Sequence, residues 1–573
     1  MVSPGIALGR AFVYLEEKLS IPSYDISAGQ VEFEFGRFQN ALEMARQELT
    51  RLKETRGSEI SEMENKLIEA HLLMTRDPEL SALVNKELTV RLKNVEWVLL
   101  KAVEEMVERL NASEDVYLRE RSTDIHDVSR RIMGHLLYRH KVPLTDLEED
   151  CILVAHNLLP SDVISMDKKK VIGIATDVGG KTSHTAILAR SFEIPAVLGL
   201  SDLTRFVKTG DEIIVDGNEG LVILDPDEET RKQYQASREA WLRRELQLLT
   251  LNELPGETRD GKLLLLEANI EIPEEVDSVL AHGADGIGLY RSEFLYILPQ
   301  RFPLEEEQIA AYRSVLEPMN PRSVTIRTLD LGGDKLIPSV KTIDESNPIL
   351  GWRAVRFCIA RPDIFKTQLR ALLRSSVYGN LKIMFPMISG IEELNLVLEL
   401  YEEAREELRQ QGVPFKEDIP VGIMIEVPSA AFTADILAKK VDFFSIGTND
   451  LIQYTIAVDR ENERIAYLYE PFHPAVLRMI KLVIDNGHSQ GISVGMCGEM
   501  AGDTNAAIIL LGLGLDEFSM SAIGIPEIKK IIRSVSIAEA EEAAGAVMEM
   551  KSYQEIDQFM KSWMGEKFDF VSH

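Results

Sequence analysis

In residues 256–573, eight short apolar runs alternate with segments whose apolar residues recur at helical spacing. The runs cover residues 263–269, 286–290, 323–330, 381–387, 421–428, 443–450, 492–499 and 517–521. Near-continuous apolar strands separated by helices are typical of a parallel sheet that is buried on both faces. Eight strand–helix units in a segment of this length predict a (β/α)8 TIM barrel. A doubly wound open sheet has the same alternation and is the alternative.

The first part of the chain has a different texture. A strand-like run covers residues 6–14, and apolar residues then recur at three- and four-residue spacing, which predicts a block of helices. Four short β-rich runs follow, and with the first strand they predict a small α/β unit that carries the helical block as an insertion. We therefore expect a multidomain α/β protein. Its predicted parts are an α/β domain (1–27 and 144–224), a helical insertion (28–143), a linker helix (225–255) and the barrel (256–573).

The charge balance limits the partners of this chain. Its 573 residues include 63 Lys and Arg against 93 Asp and Glu, which gives a formal net charge of −30. Such a surface repels nucleic-acid phosphates and anionic lipid, so neither is expected as a partner. The three cysteines lie far apart and suit a reducing compartment. With no membrane span or leader apparent in the sequence, we expect a cytoplasmic protein.

Polar side chains follow the apolar runs of the predicted barrel, at the ends of strands where this fold carries its catalytic groups. Asp and Asn are also common in turns, which is the alternative explanation for each residue alone. The residues concerned are Arg291, Glu293, Arg327, Asp330, Glu426, Asn449, Asp450, Cys497 and Glu499.

Arginines are frequent in these segments, and arginine suits recognition of phosphate and carboxylate groups. In an acidic chain, their clustering at one barrel mouth indicates an anionic ligand with several charges. Glu426 and Asp450 end successive strands and resemble a pair of Mg²⁺ ligands, although both could instead pair with the arginines. Cys497 is either a small buried thiol or a proton donor or acceptor at the substrate. The arginines are Arg291, Arg327, Arg353, Arg356 and Arg460.

His184 carries the sharpest chemical signal in the chain. It follows Gly179 and Gly180 and precedes an apolar helical pattern, so it is expected near a helix N-terminus. The helix dipole there favours a neutral, nucleophilic imidazole and an anion placed on it, and this environment fits a covalent phosphohistidine. His156 and His473 lack such flanking residues and are expected to be structural.

Eight motifs together resemble the phosphoenolpyruvate–protein phosphotransferase family, the first enzymes of the bacterial sugar phosphotransferase system. The resemblance extends over essentially the whole chain. The motifs are GGKTSHTAILAR (179–190), GLYRSEF (288–294), RTLDLGGDK (327–335), NPILGWRAVR (347–356), MIEVPSA (424–430), SIGTNDLIQY (445–454), EPFHPAVL (470–477) and VGMCGEMAGD (494–503).

The resemblance implies a role for individual residues. It implies that His184 is the phosphorylated histidine and that Cys497 is the acid that protonates the enolate to give pyruvate. It implies Mg²⁺ as cofactor, with Glu426 and Asp450 as its ligands. Val163 departs from the family, in which many members have a threonine close to the active histidine. The residues implied to bind phosphoenolpyruvate are Arg291, Arg327, Arg353, Asn449, Asp450 and Arg460.

The resemblance also implies partners and motions. The helical insertion resembles the docking site for a histidine-containing phosphocarrier protein, and His71 lies in that stretch. The His184 domain is expected to swing between the barrel and the carrier, with hinges near 143–150 and 225–255, and the family implies a homodimer through the barrel. The rival functions are a regulatory paralogue acting on a nitrogen-related carrier, a nucleotide-dependent dikinase and a non-enzymatic binding protein.

Overall fold

The computed structural model forms two compact units, Met1–Glu245 and Leu246–His573. The residues that it describes are 3–14, 23–56, 68, 71–76, 78–111, 116–137, 147, 149–158, 166, 170–179, 185–186, 189, 192–297, 302–331, 347–460, 462 and 464–568.

The first unit contains a six-stranded sheet in the order β4-β3-β2-β1-β5-β6. β1 pairs in parallel with β2, and β2, β3 and β4 continue the parallel part. β1 also pairs antiparallel with β5, so the N-terminal strand lies inside the sheet. The carboxyl ends of β1 to β4 therefore share one edge. The strands are β1 (Ile6–Tyr14), β2 (Cys151–Ala155), β3 (Val171–Thr176), β4 (Ala196–Leu198), β5 (Glu212–Asp216) and β6 (Leu221–Leu224).

Helices lie between β1 and β2 in the chain, as the periodicity predicts. Phe38, Leu88, Val98, Leu99 and Ile132 are fully buried at the centre of their shared core. Within a helix the buried residues recur at three- and four-residue spacing, as Val95, Val98 and Leu99 do, so each helix presents one apolar face to the others. The four long helices of the described residues here are α1 (Val31–Arg56), α2 (Pro78–Arg91), α3 (Val95–Asn111) and α4 (Val116–Leu136).

The second unit contains a closed barrel of eight parallel strands, β8 to β15. Each strand pairs in parallel with the next, and β15 pairs with β8, which closes the ring. The prediction of a TIM barrel is confirmed, and the open sheet is wrong. A short strand, β7 (Gly256–Glu257), pairs antiparallel with β8. The barrel strands are β8 (Leu263–Ile270), β9 (Gly286–Arg291), β10 (Ser323–Arg327), β11 (Asn380–Phe385), β12 (Val421–Ile425), β13 (Phe443–Ile446), β14 (Ser493–Met496) and β15 (Glu517–Met520).

The remaining helices flank the two sheets. In the first unit α5 (Leu203–Phe206) follows β4. The helix α6 (Glu228–Leu249) occupies the predicted linker segment, and the boundary between the two units falls within it. Within the described ranges, no helix is long and apolar enough to cross a membrane. The helices of the second unit are α7 (Val276–Ala281), α8 (Phe294–Ile297), α9 (Glu305–Met319), α10 (Ala354–Ala360), α11 (Pro362–Ser375), α12 (Ile391–Gln411), α13 (Pro428–Phe432), α14 (Ala434–Leu437), α15 (Thr448–Ile456), α16 (Pro474–Ser489), α17 (Thr504–Leu513), α18 (Ile525–Arg533), α19 (Ile537–Glu549) and α20 (Tyr553–Lys567).

A glycine allows α17 to pack closely against α19. A Cβ atom at Gly512 would lie 2.0 Å from the carbonyl oxygen of Ala540 and 2.7 Å from the Cβ of Ala544. Backbone atoms cannot move aside as a flexible side chain can, so the two helices must separate if residue 512 gains a side chain. Gly545 on α19 offers a comparison, because a Cβ there meets no atom within 4 Å.

We predict that Gly512→Ala destabilises the barrel by about 1–3 kcal/mol, the usual cost of overpacking. The matched control Gly545→Ala is expected to leave the stability of the barrel unchanged or to raise it by up to about 1 kcal/mol, because alanine has a higher helix propensity than glycine. Calorimetric melting of the full chain measures both variants. An unchanged barrel transition in the Gly512 variant would contradict the close packing of the two helices.

Candidate active site

The mouth of the barrel is organised around Arg327, the last residue of β10. Its guanidinium contacts Glu293 through Nε at 3.0 Å and through Nη2 at 2.9 Å, and its Nη1 lies 3.0 Å from Asp330. All three side chains are nearly buried. Burial alone would lower the pKa of Arg327, but the charges of Glu293 and Asp330 raise it. Arg327 is therefore a permanent cation with a fixed orientation.

Asp330 joins Arg327 to a second arginine. One of its carboxylate oxygens faces Arg327, and the other accepts a hydrogen bond of 2.8 Å from Nη2 of Arg353. The same Nη2 lies 3.4 Å from a carboxylate oxygen of Asp450. Both arginines are thus held at the mouth by one buried carboxylate, and a bidentate guanidinium is the usual ligand for a phosphate or carboxylate group.

Two of the expected arginines have other surroundings. Arg291, the last residue of β9, donates to Glu271 and is about one-third exposed. Arg356 contacts Glu393 at 3.3 Å and the carbonyl oxygen of Leu350 at 3.2 Å. It therefore supports the loop before α10 and is not part of the Asp330 pair. The abundance of arginine in these segments grouped Arg356 with Arg353, and only the family resemblance singled out Arg353 as a substrate-binding residue.

Glu426 is a buried carboxylate beside the arginine pair. It follows β12, is 2% exposed, and accepts a hydrogen bond of 2.6 Å from the backbone N–H of Met387. Burial, together with the charges of Asp330 and Asp450, raises the pKa of Glu426 to about 8. Carboxylates that repel one another in this way provide the hard oxygen donors that suit a divalent cation. No group of three or more His, Cys, Asp or Glu side chains suited to a metal occurs in the part of the chain that the structure describes.

Cys497 lies just past β14, inside the barrel. It is 3% exposed and packs with Leu289, Met384, Met424 and Phe443. Burial in this apolar cluster raises the pKa of its thiol, although a hydrogen bond with Ser445 and the charge of Arg327 act in the opposite direction. The thiol is therefore protonated at neutral pH and can donate a proton.

Asn269 positions the backbone at Cys497, and the sequence argument missed it. Its Nδ2 donates to the carbonyl oxygen of Cys497 at 2.9 Å, and its Oδ1 accepts from the hydroxyl of Ser519 at 2.6 Å. Asn269 is the last residue of the first barrel run, and Glu271 lies two residues beyond it. The rule of polar residues at strand ends, applied to this run as well, would have found both.

Asn449 and Asp450 lie in the first turn of α15. The amide of Asn449 forms two bonds with Glu499, donating to its carboxylate at 3.2 Å and accepting from its backbone N–H at 3.0 Å. The hydroxyl of Tyr469 donates to the carbonyl oxygen of Asn449 at 3.2 Å, and Arg460 interacts with the same hydroxyl. Arg460 is exposed and joins the site through Tyr469, which the sequence argument also missed.

The structure brings six of the expected residues into one network at the mouth, and Arg291 and Arg460 border it. His184 and Val163 lie outside the described residues. His71 is buried in the helical insertion, where its Nδ1 lies 4.0 Å from a carboxylate oxygen of Asp127. The six residues of the network are Arg327, Arg353, Glu426, Asn449, Asp450 and Cys497.

Three family models match successive parts of the chain. A model described as the N-terminal part of PEP-utilising enzymes matches residues 1–121, and one described as their mobile domain matches residues 147–220. A third, described as their PEP-binding domain, matches residues 246–537, about half of the chain. The three matches follow one another along the chain without overlap.

Curated relatives match nearly the full length. A phosphoenolpyruvate-protein phosphotransferase of Priestia megaterium is 44% identical over 98% of this chain and 97% of its own length. Proteins of the same name from Bacillus subtilis (45%) and Haemophilus influenzae (42%) cover 98% and 99% of this chain and 98% of their own lengths.

We predict that Asp330→Asn raises the KM for phosphoenolpyruvate by about tenfold or more, because this substitution removes the negative charge that orients both Arg327 and Arg353. Asp363→Asn is the matched control, since Asp363 pairs with Arg361 at the exposed surface and is expected to leave the KM unchanged. Steady-state kinetics of both variants measure the effect. Equal KM values would show that Asp330 does not organise the site.

Proposed function

The chain belongs to the phosphoenolpyruvate–protein phosphotransferase family, and we propose that it transfers the phosphoryl group of phosphoenolpyruvate first to its own His184. The phosphoryl group then passes to a histidine of a histidine-containing phosphocarrier protein, and pyruvate is released. The observation that carries this proposal is the pair of buried arginines held by Asp330 beside Glu426, Asp450 and Cys497. The network provides fixed cations, carboxylate oxygens and a proton donor within one barrel mouth.

In this proposal the arginines bind the two anionic groups of phosphoenolpyruvate. Arg327 and Arg353 are held rigidly, so binding requires little reorganisation of these side chains. Arg291 and Arg460, with Asn449, contact the remaining oxygens at the border. Phosphoryl transfer passes through a loose transition state whose charge such cations stabilise.

A divalent cation, Mg²⁺ in our proposal, would be held by Glu426 and Asp450. Both residues are carboxylates, and Mg²⁺ commonly uses two protein oxygens, with water and substrate completing its shell. Glu426 is buried beside the negative charges of Asp330 and Asp450, and a bound cation would reduce this repulsion. When bound, the ion would neutralise charge on the substrate oxygens.

Cys497 is the proposed general acid. Loss of the phosphoryl group leaves the enolate of pyruvate, whose carbon must take up a proton before pyruvate can leave. The thiol proton of Cys497 moves to that carbon, and solvent restores it afterwards. The raised pKa of this thiol supports the role, because an acid must hold its proton at working pH.

The domain assignment and the partners belong to the same proposal. Residues 1–27 and 144–224 would form the phosphohistidine domain, 28–143 the carrier-docking insertion, 225–255 the linker and 256–573 the substrate-binding barrel. His184 would travel between the barrel and the carrier by rotation of its domain. We also propose a homodimer through the barrel and a cytoplasmic location, for which the three buried free thiols are suited.

A regulatory paralogue acting on a nitrogen-related carrier is the second candidate. The names of the full-length relatives favour the general phosphotransferase. Comparing phosphoryl transfer to the two kinds of carrier protein decides between these functions, and faster transfer to the nitrogen-related carrier would reverse the choice.

We predict that His184→Gln abolishes covalent labelling by radiolabelled phosphoenolpyruvate in the presence of Mg²⁺, because glutamine lacks the nucleophilic imidazole nitrogen. Binding of phosphoenolpyruvate, measured by calorimetry, is expected to stay within about twofold, because the barrel residues are intact. His488→Gln is the control, since His488 pairs with Asp516 on the barrel and is not in the proposed mechanism. An acid-labile label that maps to a residue other than His184 would overturn the assignment.

We predict that Cys497→Ala slows pyruvate formation by about 10²–10⁴-fold while phosphoenolpyruvate binds nearly as well, because only the proton donor is lost. Cys358→Ala tests whether any buried thiol would have this effect, since Cys358 is fully buried on α10. Pyruvate release and substrate binding are measured separately for each variant. Normal pyruvate release from the Cys497 variant would remove this thiol from the acid role.

A further inference from the structure

His156, in the first unit, has an orientation that the sequence did not predict. His156 follows β2, and its Nδ1 lies 3.0 Å from Oδ2 of Asp177, which follows β3. The side chain of His156 is 51% exposed, whereas that of Asp177 is 2% exposed. The sequence predicted a structural histidine at this position; in the structure a buried carboxylate holds one of its nitrogens and the ring extends into solvent.

Asp177 fixes the state of this ring. Its Oδ1 accepts the backbone N–H of Thr204 at 3.0 Å, and its Oδ2 accepts the Thr204 hydroxyl as well as the imidazole. Burial alone would raise the pKa of Asp177, but these hydrogen bonds bring it below its ordinary value. An ionised carboxylate only accepts hydrogen bonds, so Nδ1 of His156 carries a proton and Nε2 is the nitrogen available for a ligand.

The backbone around the pair is tied together. The N–H of Asp177 donates to the carbonyl oxygen of Ala155 at 3.1 Å, and the N–H of Val178 donates to the carbonyl oxygen of His156 at 2.9 Å. The N–H of Ser201 donates to the carbonyl oxygen of Asp177 at 2.8 Å. These bonds join the backbones of the three segments that follow β2, β3 and β4, and in such sheets ligands bind outside the carboxyl ends of the strands.

We propose that His156 is a phosphoryl-binding residue whose Nε2 contacts a phosphoryl group at the carboxyl edge of this sheet. The ring would contact a phosphoryl oxygen through Nε2, while the carboxylate of Asp177 holds Nδ1 on the opposite side. No covalent bond changes at His156. The inference rests on the proposed function, which supplies a phosphoryl group to this domain. Three sources of that group are compared below: a phosphoryl group on His184, a phosphoryl group on the partner protein, and free phosphate.

Two substitutions separate this role from a structural one. His156→Asn keeps an amide near the position of Nδ1 and can still bond to Asp177, but it lacks Nε2. His156→Gln places its amide near the position of Nε2. If His156 binds a phosphoryl group, His156→Asn slows phosphoryl transfer to the carrier by about tenfold or more at unchanged KM for phosphoenolpyruvate, and His156→Gln retains more activity.

A purely structural tie predicts the opposite order of the two variants, and a wild-type rate in His156→Asn would overturn the proposal. Calorimetric melting of both variants is measured alongside, so that a folding defect is recognised. If the variants do not fold, the resonances of the His156 ring in the unsubstituted chain test the proposal instead. His488→Asn is a matched control, because His488 is an exposed histidine bonded to Asp516 at 2.7 Å in the second unit.

Nuclear magnetic resonance of the His156 ring in the full chain identifies the source of the phosphoryl group. Inorganic phosphate alone is added first, and phosphoenolpyruvate with Mg²⁺ is added to the wild type and to His184→Gln in parallel. A shift with inorganic phosphate assigns the site to a free anion, and a shift only in the phosphorylated wild type assigns it to the phosphoryl group on the chain. A shift that needs the phosphorylated carrier protein assigns it to the partner.

A ring resonance that moves under none of these conditions would overturn the proposal. Failure of the proposed function gives a different result, since the wild type would then take up no label from phosphoenolpyruvate, while the response to inorganic phosphate would still test His156.

Discussion

The barrel mouth depends on one buried carboxylate, that of Asp330. It holds Arg327 on one oxygen and Arg353 on the other, and Arg353 in turn reaches Asp450. Two arginines this close repel each other and are costly to bury unless a counter-charge lies between them. Asp330 supplies that charge and at the same time fixes the directions of both guanidinium groups. The remaining features of the site, including the burial of Glu426 and Cys497, are arranged around this fixed pair.

The sequence was sufficient to predict the elements but not their contacts. The apolar runs at 151–155 and 171–176 coincide with β2 and β3, because a strand buried on both faces must be apolar along its length. The strand-end rule likewise selected Arg327 and Glu426, whereas Arg353 was named as one of several arginines in these segments and through the family resemblance. Closure of the barrel depends on the pairing of β15 with β8, a contact between distant segments that periodicity does not encode.

The sequence did not indicate which partner each polar side chain contacts at the barrel mouth. Arg356 was grouped with the site arginines, yet its side chain turns towards Glu393 and a loop carbonyl. Tyr469 was overlooked because it acts through the backbone carbonyl oxygen of Asn449, and no pattern in the sequence marks that contact. Asn269 satisfies the strand-end rule, but its bond to the carbonyl oxygen of Cys497 is visible only in the structure. Residue type and spacing indicate which groups reach one edge of a sheet. They do not indicate which partner a long side chain selects there, since that choice depends on packing.

Asp330 and Asp177 illustrate one physical device in two unrelated settings. Each is a nearly buried aspartate that follows a parallel strand. Asp330 holds one arginine on each oxygen, whereas Asp177 holds the imidazole on Oδ2 and is itself anchored through Oδ1 by the backbone N–H of Thr204. A carboxylate that is ionised and enclosed cannot rotate towards water, so the direction of its hydrogen bonds is transmitted to its partner. The partner, a guanidinium in the barrel and an imidazole in the smaller sheet, then presents its other nitrogens in a fixed direction. Because a buried aspartate of this kind does not itself need to touch a ligand, its importance is visible only once the side chain that it orients has been located.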